Sequence, residues 1–131
     1  MIRVLVVDDE RDIEQLFNMR FRKEIRDGLL EFHFSFSGED ALENMGNREP
    51  GDVVLILSDI NMPGMNGLDL LKILKEKYPE LPVFMITAYN DEEKYEKAKR
   101  YGAEEFIAKP IDFPALKNAM IDVLNKRKND A

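Results

Sequence analysis

Hydrophobic positions alternate along the chain between short continuous runs and stretches of helical spacing. Val4 to Val7 is the first run, and its continuity suits a strand buried on both faces. From Glu10 to Arg26 the residues Ile13, Leu16, Phe17, Phe21 and Ile25 recur at helical spacing, and Gly28 ends the predicted helix. Phe32, Phe34 and Phe36 then alternate with polar neighbours from Glu31 onward. That period predicts a strand with one poorer face, most easily an edge strand. Ser37 with Asp40 resembles a capping box opening a short helix through Met45, and a loop follows from Asn47 to Asp52. Val53 to Leu57 is a third strand that breaks off into Ser58 and Asp59. Asn66 caps a helix from Gly67 to about Lys77, with Leu68, Leu71 and Leu74 as its stripe and Pro79 as its stop. The fourth strand is Val83 to Ile86. Asn90 or Asp91 caps a helix reaching about Tyr101, with a thin stripe of Tyr95, Ala98 and Tyr101 and a stop at Gly102. Phe106 to Ala108 is a short fifth strand, and Asp112 caps a last helix bearing Phe113, Leu116, Met120, Val123 and Leu124.

Five strand–helix units in alternation predict an α/β fold, a five-stranded parallel sheet with helices on both faces and right-handed crossovers. No repeat or long linker interrupts the pattern. The expectation is one domain over residues 1–131, with a core of about 2–126 and a tail at 127–131.

Composition narrows the chemistry. There is no cysteine and one histidine, which excludes thiolate chemistry, disulfides and Cys- or His-rich metal sites. His33 falls out of phase with the three Phe rings of its strand, so it reads as a structural or surface residue, and the rings read as core. The net charge of −7 argues against direct binding to nucleic acid, and Lys126, Arg127 and Lys128 read as a solvated tail. No apolar run approaches the ~18 residues of a membrane span, and no signal-peptide layout precedes the first strand. The expected compartment is cytoplasmic. Neither common Gly-rich nucleotide-binding motif occurs.

In an open parallel sheet, ligands bind beyond the carboxyl ends of the strands. Asp8 and Asp9 follow the first strand, Asp59 the third, Thr87 the fourth and Lys109 the fifth. Three carboxylates on one rim repel one another; two unit charges ~5 Å apart cost roughly 3 kcal/mol at an effective dielectric of ~20. Such a cluster suits a hard divalent cation such as Mg²⁺, which takes carboxylates, water and phosphate oxygens. A carboxylate beside a metal, an ammonium and a hydroxyl can act as a nucleophile toward phosphorus. Met62 and Met65 beside the rim read as packing residues.

Taken together, "VLVVDDE" at 4–10, "SDINMPGMNG" at 58–67, "ITAY" at 86–89 and "KPID" at 109–112 resemble the receiver (CheY-like) domain of bacterial two-component response regulators. The pieces stand in the family's order and the resemblance covers essentially the whole chain. It implies the flavodoxin-like strand order 2-1-3-4-5. It implies that Asp59 is the phosphoacceptor, and that Asp8 and Asp9 hold Mg²⁺ (or Mn²⁺) with Asp59 and the backbone carbonyl of Asn61, Asp9 being the direct ligand of the acidic pair. By the same resemblance Thr87 and Lys109 bind phosphoryl oxygens, Lys109–Pro110 is cis, and Asn61 and Tyr89 tune the loss of the phosphoryl group. Thr87 and Phe106 are the switch pair; Phe106 stands where Tyr is common, so no hydroxyl is there to be buried. The implied partners are a sensor histidine kinase or histidine phosphotransfer protein, and a downstream target or output domain. The implied readout surface is the fourth helix, fifth strand and fifth helix, and a phosphorylation-dependent dimer is a further implied association. The implied role is a signalling switch and not a dedicated enzyme. A haloacid-dehalogenase-like phosphatase shares these residue types, but its nucleophile comes first in an Asp-x-Asp pattern, and here Asp59-Ile60-Asn61 lacks the second acid. A phosphorylation-independent interaction module is the third reading. Whether the chain acts alone or is a receiver cut from a longer protein stays open.

Overall fold

The computed structural model describes residues 1–88 and 92–129, of which residues 127–129 are described by backbone alone. Tyr89, the expected caps Asn90 and Asp91, and the last two residues lie outside the described residues. The elements run β1 (Ile2–Val7), α1 (Asp12–Arg20), α2 (Arg22–Arg26), β2 (Leu30–Ser35), α3 (Gly38–Gly46), β3 (Leu55–Asp59), α4 (Gly67–Lys77), β4 (Val83–Thr87), α5 (Glu92–Arg100), β5 (Glu105–Ala108) and α6 (Phe113–Asn129). All strand pairs are parallel, in the order β2-β1-β3-β4-β5. The fold is the expected one, with β2 at an edge.

The sheet is apolar on both faces because Val4–Val7, Leu55–Leu57 and Val83–Ile86 of its central strands are continuous apolar runs. Leu5, Val7, Ile56, Val83 and Met85 join Ala41, Leu71 and Leu74 in one core, while Val4, Val6, Leu55, Leu57, Phe84 and Ile86 join Phe17, Phe21 and Leu116 in the other. The second core is rich in rings: Phe17 stacks on Phe21 with centroids 5.9 Å apart, and both meet Phe32 and Phe113 edge-on. Of the three β2-region Phe residues expected in the core, Phe32 is buried, Phe34 is partly buried, and Phe36 lies outside both clusters under the Arg11 guanidinium at 4.3 Å. His33 is half-buried, with Nε2 2.7 Å from Glu31 Oε1, and keeps the structural place expected of it.

The sequence pattern predicts one helix from Glu10 to Arg26; the structure divides it at Phe21, where φ is −108° and ψ is 20°. The break is a kink and not an end. Phe21 N–H still donates to Phe17 O at 3.0 Å, and Ile25 N–H to Phe21 O at 2.9 Å. Burying the Phe21 ring outweighs regular backbone there. The fourth and fifth helices expected from the sequence, on which the resemblance places the readout, are therefore α5 and α6. The side-chain caps stand as expected: Ser37 Oγ accepts from Asp40 N–H at 3.0 Å, Asn66 Oδ1 from Asp69 N–H at 2.9 Å, and Asp112 Oδ1 from Ala115 N–H at 3.1 Å. Among the described residues no helix is long and apolar enough to cross a membrane.

Candidate functional site

Register builds the rim. Val7 pairs with Ser58, Asp59 with Ile86, and Thr87 with Ala108. One residue further along β1 and β5 stand Asp8 and Lys109, so parallel pairing alone brings Asp8, Asp59, Thr87 and Lys109 to the same end of the sheet. β3 runs two residues further than the apolar run Val53 to Leu57 predicts. Asp59 is its last residue, held in the ladder against Ile86, instead of the second residue beyond it. Thr87 likewise closes β4.

Asp8 and Asp59 are 1% and 4% exposed, whereas Asp9 is exposed. One carboxylate oxygen from each of Asp8, Asp9 and Asp59 lies within 4.8 Å of the others. Lys109 Nζ reaches both buried acids, at 3.4 Å from Asp59 Oδ2 and 3.5 Å from Asp8 Oδ2. Asp8 Oδ1 accepts from Glu10 N–H at 2.9 Å, but Asp8 Oδ2 has no hydrogen-bond partner among the described residues.

The titration of these groups follows from burial. Desolvation raises the Asp8 carboxyl above the usual range, against the Glu10 N–H and Lys109, which favour its charged form. Desolvation raises Asp59 as well, against Lys109, while the Asp8 charge pushes the same way as burial. Desolvation pulls the Lys109 ammonium down, but the Asp59 and Asp8 carboxylates outweigh it and leave it raised. Three acids face one ammonium, so negative charge exceeds positive. An under-bonded buried oxygen, hard carboxylate donors and surplus negative charge fit a divalent cation with oxygen preference.

The other expected residues are placed differently. Asn61 is exposed on the β3–α4 loop with its backbone N–H against the Asp59 carboxylate, and its side-chain Oδ1 accepts from Lys94 Nζ at 2.5 Å. Phe106 lies two positions before Ala108 in β5, half-buried, its ring 4.4 Å from that of Tyr95. Lys109–Pro110 is cis, as the resemblance implied. Met62 and Met65 pack on the core. Three contacts escaped the sequence reading. Gly67 sits where a methyl group would lie 2.1 Å from Asp59 O. Glu39 accepts from Met65 N–H at 2.9 Å and so holds the loop from the α3 side. Lys94 holds it from α5. Only Gly67 left a local signal, as a glycine directly after a capping Asn.

The model of the response regulator receiver domain matches residues 4–121. The chain belongs to that family. This receiver domain is 39% identical over 97 residues to the regulatory protein LuxO of Vibrio cholerae, covering 72% of the chain and 21% of LuxO. It is 35% identical over 128 residues to the transcriptional regulatory protein MalR of Bacillus subtilis, covering 98% of the chain and 52% of MalR. The chain thus spans between a fifth and about half of the length of these relatives. The solved receiver domain of NtrX from Brucella abortus superposes with a TM-score of 0.79 at 34% identity, over 93% of this chain and 98% of that one. As a receiver domain of two-component response regulators, the chain has a phosphoryl-accepting signalling role.

Proposed function

We propose that Asp59 is the phosphoacceptor and that its modification is the signal. The observation that carries this reading is the Asp59 carboxylate at the end of β3, 3.4 Å from the Lys109 ammonium and within 4.8 Å of the Asp8 and Asp9 oxygens. A carboxylate oxygen of Asp59 attacks the phosphorus of a phosphohistidine on a sensor kinase or phosphotransfer protein. The new O–P bond forms as the P–N bond breaks; the imidazole nitrogen keeps the electron pair and takes a proton. The product is a mixed anhydride that water later hydrolyses. Lys109 neutralises oxygens of the transferring group, and Thr87 on the same rim donates its hydroxyl to another. Asp8, Asp9, Asp59 and the Asn61 carbonyl would hold Mg²⁺, with Mn²⁺ as a substitute, and that ion supplies charge neutralisation at the phosphoryl oxygens.

The phosphoryl group adds about −1.5 to −2 charge. Drawing Thr87 and Lys109 toward it pulls on β4 and β5, with Tyr95 and Phe106 packed together between α5 and β5. The surface of α5, β5 and α6 is thus the readout, for a separate target, an output domain or a second copy of the chain. Turnover of a free substrate is not its task, and its working compartment is the cytoplasm. Incubation with acetyl phosphate and Mg²⁺ adds one phosphoryl group by mass spectrometry, and Asp59→Asn abolishes the addition. An unmodified wild-type protein would overturn the reading.

A further inference from the structure

Lys94 is a charged residue beside the rim that the mechanism above does not use. It lies in the first turn of α5, while the loop it touches joins β3 to α4. Lys94 Nζ donates to Asn61 Oδ1 at 2.5 Å, a hydrogen bond strengthened by the charge on its donor. Asn61 is exposed, and the side chain of an exposed loop residue otherwise samples several rotamers. Its backbone, however, faces the buried Asp59 carboxylate. Glu39 holds the same loop at Met65 from the opposite side, at 2.9 Å. Two neighbouring helices, α3 and α5, therefore clamp the loop with charges of opposite sign.

We infer that Lys94 is a positioning residue for phosphoryl transfer: by fixing the Asn61 amide it fixes the backbone that faces the Asp59 nucleophile. Lys94 touches neither acceptor nor donor in this role; it acts through Asn61. The inference rests on the phosphoacceptor reading. Displacing a reacting group by a fraction of an ångström is enough to slow a transfer step severalfold.

The test is a double-mutant cycle with acetyl phosphate as donor and Mg²⁺ at saturation, following the phosphorylated fraction of the full chain. Lys94→Met keeps an unbranched apolar side chain of nearly the same reach and removes the donor. It lowers the maximal rate constant roughly three- to tenfold and leaves the half-saturating acetyl phosphate concentration unchanged. In an Asn61→Ala background the same substitution has no further effect. Three results would overturn the inference: an unchanged maximal rate, an effect on half-saturation alone, or the same fold-loss in the Asn61→Ala background. The last two would mean that the Lys94 charge acts on the donor directly. If the wild type itself acquires no phosphoryl group on Asp59, the acceptor reading falls first and this inference with it.

Discussion

Asp8 is 1% exposed, and its Oδ2 has no hydrogen-bond partner among the described residues. The cation facing that oxygen is the Lys109 ammonium at 3.5 Å, which Asp59 shares at 3.4 Å. Burial raises the folded-state carboxyl above its ordinary value. Between that ordinary value and the folded one, the folded protein keeps a proton that the unfolded chain has released. Stability therefore falls as pH rises through that window and remains lower above it. Lys109 has the opposite consequence. Its ammonium is raised by the Asp59 and Asp8 charges despite burial, so its contribution is present at neutral pH and lost only above the ordinary lysine range. Asp8→Asn removes one buried charge from a cluster of three. In the metal-free protein it should raise unfolding free energy at pH 7 by about 1–3 kcal/mol, the size of a near like-charge repulsion at an effective dielectric of ~20. The gain should shrink toward zero near pH 4. Urea unfolding in the presence of EDTA at the two pH values reads both; a loss of stability at pH 7 contradicts this view of the site.

The passage from β3 into α4 has little room. Gly67 N–H donates to Ile60 O at 2.8 Å, and a methyl group at Gly67 would lie 2.1 Å from Asp59 O and 2.7 Å from Ile60 Cα. The atoms it would meet are backbone at the end of β3 and just beyond it, and cannot swing aside. Gly67→Ala should therefore cost about 3 kcal/mol or more in urea unfolding, since overpacking against a fixed neighbour forces backbone shifts. Gly46, the last residue of α3, has nothing within 4 Å of such a methyl group, and Gly46→Ala should be neutral or stabilising by up to about 1 kcal/mol. This contrast shows what the sequence could carry. Apolar runs broken by Asp, Thr and Lys marked the strand ends, and Ser37, Asn66 and Asp112 marked helix starts, because each signal is local. Strand limits were less legible. Val53 is buried but precedes the ladder, while polar Ser58 and Asp59 are inside it, because pairing with β1 and β4 sets the limits and hydrophobicity reports only burial. The kink at Phe21 needs Phe32 and Phe113 to explain it. Lys94 was invisible beside Lys97 and Lys99, since only the placement of α5 beside the β3–α4 loop distinguishes it.

At the scale of the whole molecule, the sheet separates two requirements. Its faces are filled by two apolar cores, which supply stability, while its carboxyl rim gathers charges that burial opposes. Charge arriving at the rim should therefore alter global stability and not only local order. A cation that binds the folded rim and has no site in the unfolded chain adds RT ln(1 + [L]/Kd), about 2.7 kcal/mol at a hundredfold excess over Kd. For a chain of 131 residues that corresponds to a rise on the order of 10 °C in thermal midpoint. Mg²⁺ should produce this rise at pH 7, and EDTA should reverse it. Because ligand carboxylates must be ionised to bind, and the Asp8 and Asp59 carboxyls are raised, the Mg²⁺ effect should fade on acidification before the ordinary carboxylate range is reached. Asp8→Asn should abolish most of the shift while leaving the metal-free protein more stable than wild type. Differential scanning calorimetry with and without Mg²⁺ at pH 7 and pH 4.5 measures all of these together. A Mg²⁺ shift of equal size in wild type and Asp8→Asn would place the cation elsewhere and leave the surplus charge of the rim without a role.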